Sequence, residues 1–286
     1  MGNNIKIAGA QIYPIILDVN SNLKKCLEFT KEAVSQGAKL VIFPEAALTG
    51  YCYSSLDEAI PVAETIPGQS TEEIISLCKE LNAYVIVGLI EKEGSKYYNA
   101  AAFLGPEGLI GKYRKLHLPY LGVDRFLNHG NLPPNIYDTE IGRIGLSICF
   151  DTIFPELARV LTLNGADIVV NITNVPGPKF DPKMAHCIYA RAIENLIFHV
   201  AVNRVGKERD WSFPGGGMAV DPEGKLIAEA KENEEAIFYI EIDPTIARQK
   251  HKVMIPGQLE IDVMRDRRPE FYSDIVKPLE DNSRIR

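Results

Sequence analysis

The stretch Gly145-Leu146-Ser147-Ile148-Cys149-Phe150-Asp151 decides how this chain is read. An apolar strand ends in a single cysteine, and Pro155-Glu156 just beyond it has the make-up of a helix's first turn. A thiol on a strand-to-helix turn sits at a cleft mouth with backbone N–H groups beside it. A covalent nucleophile needs that arrangement, with reach to the substrate and donors facing the oxyanion that forms. A lone cysteine is more often a small buried hydrophobe, so the role of Cys149 depends on what the rest of the chain supplies.

Outward from that turn, strand and helix signals alternate. Upstream, residues 5–11 read as a strand. Residues 22–36 read as a helix with Leu23, Cys26, Leu27 and Val34 on one face, Ser21 as N-cap and Gly37 as stop. Leu40-Val41-Ile42-Phe43 is a continuous apolar run of strand length, which predicts burial on both faces. Ser70-Thr71-Glu72-Glu73 has the form of a capping box, with Ile74, Leu77, Cys78 and Leu81 following at helical spacing. Strands are expected at 84–89 and 99–104 and through 112–115. Downstream the pattern predicts a helix from Pro155 to Asn164-Gly165, a strand at 167–171, a helix at 183–195 and a strand at 198–203. A hairpin turning at Asp221-Pro222-Glu223-Gly224 and a strand at 237–242 complete it. This alternation is that of an α/β fold. Periodicity fades beyond about Lys250, so the expected organisation is one domain over 1–250 and a charged, proline-punctuated extension over 251–286.

Of the 286 residues, 46 % are apolar and the net charge is −7. With no basic stripe and no interleaved aromatics, nucleic acid is not an expected partner. The apolar runs are short and broken by charge or Gly/Pro, so no membrane span is expected. The first residues lead into a strand without the apolar core of a signal peptide. The five cysteines, Cys26, Cys52, Cys78, Cys149 and Cys187, are scattered with no CxxC pair. That fits free thiols in a reducing compartment and no thiolate metal site, hence a cytoplasmic protein.

Two further residues stand out. Glu45, in Phe43-Pro44-Glu45, directly follows the buried run; a carboxylate there is desolvated, its pKa raised, and able to shuttle protons near neutral pH. The same triplet recurs as Phe154-Pro155-Glu156, where Glu156 falls in a helix's first turn and simply complements the dipole. Lys115 lies among Leu116, Leu118 and Pro119, unusually apolar surroundings for a lysine, and strand alternation puts Tyr113, Lys115 and His117 on one face. His117 reads either as half of a Cys–His pair or as a satisfied strand histidine.

Glu45 in VIFPEAALTGY, Lys115 in YRKLHLP and Cys149 in GLSICFDTIFPE resemble, in order and context, the Glu–Lys–Cys triad of the nitrilase superfamily of carbon–nitrogen hydrolases. The resemblance extends over nearly the whole chain, through AGAQI, YNAAAFLGPEG, GADIVVNITNVPG, RAIENLIFHVAVNRVG and DRRPEFY. It implies a four-layer αββα sandwich of two mixed, mostly antiparallel sheets flanked by helices, with the triad at one end of the sheets. It also implies homodimers or larger homo-oligomers with the tail at subunit contacts, and neither a metal nor an organic cofactor.

On this reading Cys149 is the nucleophile, with Glu45 and the cation of Lys115 favouring its thiolate. Glu45 takes the thiol proton, and Lys115 with the backbone N–H of Phe150 holds the oxyanion. The substrate is a small amide or carbamoyl compound, releasing ammonia through a Cys149 thioester. Many relatives carry a second glutamate after the lysine motif; here Asp124 is the suitable carboxylate, and it either takes that place or pairs with Arg125 or Arg114 on the surface. Ile153 stands where relatives often have arginine, and Gly217 where they often have serine. Tyr51, Tyr53, Asn174 and Val175 are expected on loops walling the pocket, while Trp211 and Phe213 sit in a Gly-rich loop that covers the site or meets a partner subunit. The alternatives are a nitrilase acting on a small nitrile, or a non-catalytic binding member of the family. A Cys–His thiol protease would need a carboxylate or amide to orient His117, and the sequence signals none.

Overall fold

A computed structural model describes residues 4–278, so Met1–Asn3 and the last eight residues of the expected extension lie outside the described residues. The described chain divides into two compact units between Arg248 and Gln249.

The first unit is built on two six-stranded sheets. One contains β1 (Ile5–Gln11), β2 (Leu40–Ile42), β3 (Tyr84–Glu93), β4 (Lys96–Gly105), β5 (Gly108–Arg114) and, against β1, β14 (Ala236–Ile242). The other contains β6 (Ile136–Thr139), β7 (Gly142–Ile148), β8 (Ile168–Thr173), β9 (Phe198–Asn203), β12 (Met218–Val220) and β13 (Leu226–Glu229), with the hairpin β10 (Val205–Glu208) and β11 (Trp211–Pro214) between β9 and β12 in the chain. The pairing pattern is the same in both. The run β14-β1-β2-β3-β4-β5 is antiparallel, parallel, parallel, antiparallel, antiparallel, and so is β6-β7-β8-β9-β12-β13.

Side-chain alternation explains the layers. Ile7, Leu40, Ile42, Ile86 and Phe103 point one way and pack with Ile144, Leu146 and Ile148 of the second sheet. Their neighbours Ala8, Val41, Phe43, Val85 and Ala102 point the other way, onto α1 (Val19–Ser35) and α3 (Gln69–Leu81), between which the four-residue α2 (Leu56–Ala59) lies in the chain. On the second sheet, α4 (Pro155–Leu163) and α5 (Pro182–Asn195) close the outer face through Leu157, Leu161, Ile188 and Ala192. The result is the four-layer αββα sandwich.

Two helix starts differ from expectation. α1 begins earlier, capped by Asp18, whose Oδ1 accepts from Ser21 N at 3.0 Å, so Ser21 lies inside the helix it was expected to cap. α3 starts at Gln69, and Thr71 Oγ1 accepts from Gly68 N at 2.8 Å, while Ser70 donates to Glu64 Oε1 at 2.6 Å. In α1 the better acceptor lay one turn upstream, and in α3 Ser70 is engaged by Glu64 instead, whose Oε2 also accepts from Ser70 N at 2.9 Å. No helix among the described residues is long and apolar enough to cross a membrane. The second unit carries the hairpin β15 (His251–Ile255) and β16 (Leu259–Asp262) followed by two short 3-10 turns.

Candidate active site

Glu45 sits three residues past β2, where Ala46 takes a positive φ of 50° and the chain folds into a turn, Gly50 N donating to Ala46 O at 2.9 Å. Gly88 in β3 makes this possible. A Cβ there would lie 2.5 Å from Ala46 N and 2.6 Å from Pro44 O. Lys115 is one residue past β5, its N–H donating to Asn99 O and its carbonyl accepting from Gly130 N, both at 2.8 Å. Asp124 lies in a short 3-10 turn entered through Gly122, whose φ is +51°.

These residues form one fully buried hydrogen-bonded cluster. Lys115 Nζ donates to Glu45 Oε1 at 2.7 Å and to Asp124 Oδ2 at 2.6 Å. The Asn99 amide donates to Glu45 Oε1 at 2.6 Å and to Asp124 Oδ1 at 2.8 Å. Tyr51 OH donates to Asp124 Oδ2 at 2.8 Å. Asp124 is therefore inside the cluster, whereas Arg114 is taken up by Glu91 and Glu93 and Arg125 by backbone carbonyls. Three groups are left over, one of them Asn99 Oδ1, which is buried with no partner. Glu45 Oε2 is buried with no partner, and one of the three ammonium protons of Lys115 is not committed to either carboxylate.

Cys149 closes β7 with a φ of +49°, sparsely populated for any residue but glycine, and starts a 3-10 turn through Ile153. Cys149 is 6 % exposed. Burial pushes the thiol up to about 12, and the Glu45 charge adds to the rise; Lys115, the Thr173 hydroxyl and the Asn174 N–H act the other way. The expectation of a favoured thiolate is thus corrected. Desolvation and a neighbouring carboxylate outweigh the lysine, and the resting sulfur is S–H. Burial also raises Glu45, with Asp124 adding to it and Lys115 opposing. For Lys115 burial favours the neutral form, but Asp124 and Glu45 overcome it and hold the lysine well above its ordinary value. The lysine stays charged, and its ammonium is the cluster's fixed cation.

The remaining expected residues divide. Tyr51 joins the cluster; its backbone N–H and that of Cys52 are fixed by Glu208 Oε1 at 2.8 and 2.6 Å. Asn174 places its N–H against the thiol, and its side-chain amide is fully buried without a partner. Val175 is buried, its N–H given to Asn203 Oδ1 at 2.9 Å. Phe150 packs edge-on against Phe154 at 5.3 Å. Tyr53 stays apart, its hydroxyl bonded to Thr49 O. His117 does find a carboxylate, Asp151 Oδ1 at 2.7 Å, and stacks on Phe154 at 3.7 Å, while the charges that act on the thiol are those of Glu45 and Lys115. Ile153 is solvent-facing. At Gly217 a Cβ would meet Phe238 at 2.9 Å, so packing accounts for glycine there. Trp211 and Phe213 lie in β11 rather than a loop. Phe213 is buried, while Trp211, 44 % exposed, walls a surface cavity of about 400 Å³ with Pro176, Gly177 and Pro178, two residues on from Asn174.

Asn99, Thr173 and Asp151 were not singled out from the sequence. Asn99 had a signal, being the one amide in the buried run of β4. Among the described residues no group of three or more His, Cys, Asp or Glu is placed to hold a metal ion.

The family model for carbon–nitrogen hydrolase matches residues 6–251. The chain is 36 % identical over 269 residues to a nitrilase of Pyrococcus abyssi, covering 94 % of this chain and 99 % of that one. It is 33 % identical over 276 residues to an omega-amidase of Homo sapiens, covering 91 % and 94 %. A carbon–nitrogen hydrolase from Helicobacter pylori G27, known from its crystal structure, has the same fold, with a TM-score of 0.86 at 24 % identity over 97 % of this chain and 99 % of that one.

Proposed function

The chain belongs to the carbon–nitrogen hydrolase family of the nitrilase superfamily, and from that premise we propose that it hydrolyses a small primary amide or carbamoyl compound, releasing ammonia through a thioester on Cys149. The observation that carries this reading is that two of the cluster's uncommitted groups, the free oxygen of Glu45 and the third N–H of Lys115, belong to the residues whose charges act on the thiol.

Because the resting sulfur is protonated, attack and deprotonation go together. Glu45 Oε2 takes the S–H proton as sulfur bonds to the carbonyl carbon, and its raised pKa makes it a base strong enough for the task. The carbonyl electrons move to oxygen, where the spare Lys115 N–H and the Phe150 N–H hold the negative charge; one such donor is worth about 2.7–4 kcal/mol. Collapse breaks the C–N bond as protonated Glu45 gives its proton to nitrogen, and ammonia leaves. Glu45 then deprotonates a water that attacks the thioester, and the carboxylic acid and Cys149 thiol are regenerated. Lys115 keeps its proton throughout, since its two carboxylate neighbours stabilise the cation. The buried Asn174 amide has both a donor pair and an acceptor to offer a carboxamide.

A nitrile carbon is the alternative electrophile for the same thiol and proton carrier, and the substrate panel below separates the two. The reading extends to self-association through the C-terminal unit, where Val253, Met254, Ile255, Leu259 and Ile261 are exposed apolar side chains; light scattering on the chain with and without residues 249–286 tests that. The activity is tested by ammonia release from primary amides, carbamoyl amines, ω-amides of dicarboxylates and nitriles, with wild type and Cys149→Ala side by side. Release from an amide by wild type alone is the expected result. A nitrile as the sole substrate, or equal release by Cys149→Ala, overturns it.

A further inference from the structure

The residues around the thiol come from different sheets. Glu45, Asn99, Lys115 and Asp124 belong to the first sheet and its loops, while Cys149 and Asn174 end strands of the second. Their alignment therefore depends on what fastens the Lys115 segment to the Cys149 turn. We infer that Asp151 is a positioning residue that does this and so sets the spacing between nucleophile and oxyanion donor. The inference rests on the roles proposed above for Cys149 and Lys115.

Asp151 is fully buried two residues after Cys149, and its carboxyl group accepts four hydrogen bonds. One comes from the nucleophile's own strand, Ile148 N to Oδ2 at 3.1 Å. The other three cross from the first sheet: Tyr113 OH to Oδ2 at 2.8 Å, His117 N to Oδ1 at 3.0 Å and the His117 ring to Oδ1 at 2.7 Å. Tyr113 and His117 stand two residues to either side of Lys115, so the lysine is held at both flanks against the turn that carries Cys149. His117 adds a ring stack, 3.7 Å and 9° from parallel, on Phe154 at the end of the same turn. Bonds to a buried carboxyl group are the strong kind, short and poorly exchanged for water. Beyond the last ladder pair of β5, Ala100 with Arg114, the sheet holds Lys115 through the single bond to Asn99 O, and the strap fixes the chain to either side of it.

Structural burial alone is controlled for by Asp167. It is equally buried and holds Arg143 and Arg248, but at the other end of β7 and β8 from Cys149. The experiment compares Asp151→Asn, Tyr113→Phe and Asp167→Asn for kcat, KM, melting temperature and the rate at which iodoacetamide alkylates Cys149, read by mass spectrometry of its peptide. Asp151→Asn is expected to lower kcat about 100-fold, the cost of misplacing a reacting group by about an ångström. Tyr113→Phe, losing one of the four bonds, is expected to lower it about tenfold. KM stays within about threefold, and alkylation slows in step with kcat. Asp167→Asn lowers the melting temperature and leaves kcat and alkylation as in wild type. The inference is overturned if the Asp151 and Tyr113 variants behave like Asp167→Asn, or if their loss falls on KM. Should Asp151→Asn not fold, Tyr113→Phe decides alone. Should wild type hydrolyse no amide, the proposed function fails, and the alkylation rates still decide the role of Asp151.

Discussion

The chain uses the triplet Phe-Pro-Glu twice, and the two copies come to opposite ends. In Phe43-Pro44-Glu45 the apolar strand β2 feeds a turn instead of a helix, and Glu45 is carried wholly inside, against Lys115 and Asn99. In Phe154-Pro155-Glu156 proline is the first residue of α4, and Glu156 faces solvent in the helix's first turn. The same carboxylate is a buried, pKa-raised base in one setting and a dipole complement in the other. The triplet itself does not separate them; the residues packed around each copy do. Leu157, Ala158 and Leu161 keep α4 on the core, whereas Ala46 turns left-handed and Gly88 opens the space into which Pro44 and Glu45 fit.

The largest expected difference is catalytic. Glu45→Gln should lower kcat by about 10²–10⁴-fold, the usual range for a positioned proton carrier, while Glu156→Gln leaves kcat within twofold (about the error of the assay). Equal losses in steady-state kinetics would mean the two carboxylates are not divided as their environments imply. Wild-type kcat/KM should also have an acid limb above 4.5, the ordinary value for glutamate, because burial raises Glu45 and only its ionised form accepts the thiol proton. Activity is then present above the raised value and lost as pH falls through it.

Next in size is Gly88→Ala. The added Cβ meets backbone at Pro44 and Ala46, which cannot swing aside as a side-chain tip would, so Glu45 must move. A displacement of that order should cost about 100-fold in kcat, with the thermal midpoint lowered as well. Unchanged kinetics would show that the Glu45 turn has slack the packing denies.

The two triplets also mark how far the sequence was legible. The strands beside the site were visible because double-sided burial writes continuous apolar runs, as in 40–43, and the thiol and Glu45 were visible because each stands where such a run stops. Lys115 stood out against apolar neighbours. Asp124 was legible as a carboxylate and ambiguous as a partner, since Arg114, Arg125 and Lys115 are all near in the chain and only the fold takes two of them elsewhere. Asn99 and Asp151 were missed for a different reason. Their partners sit across the sheet or on the other sheet, and although Asn99 stands out as the one amide of its apolar run, nothing in that run names its partners. The thiol's protonation was misjudged because a sequence shows the charges that gather and not the water they exclude.

Asp124 tests how far the cluster's charge sets the behaviour of Glu45. Asp124→Asn keeps the shape and removes one negative charge beside both Lys115 and Glu45. Because Asp124 raises Glu45, the acid limb should move to lower pH. With one of the lysine's two carboxylate anchors gone, kcat should fall about tenfold. A limb that stays in place in the pH profile would separate Asp124 from the proton carrier.

The smallest effect belongs to the other triplet. Glu156 sits in the first turn of α4, with no side-chain cap on Phe154 to share the exposed N–H groups, so its charge is the main electrostatic complement to that end of the helix. Glu156→Gln should cost about 0.3–1 kcal/mol of stability at low salt, a fall of about 1–3 °C in thermal midpoint for a chain of this size. The loss should shrink as salt is added, because the site is exposed and screened within about 8–10 Å at physiological ionic strength. Stability that is independent of salt would assign Glu156 a packing role, and a gain on substitution would mean the charge is opposed by neighbours. Either result would leave Glu45 as the only copy of the triplet whose charge the fold uses.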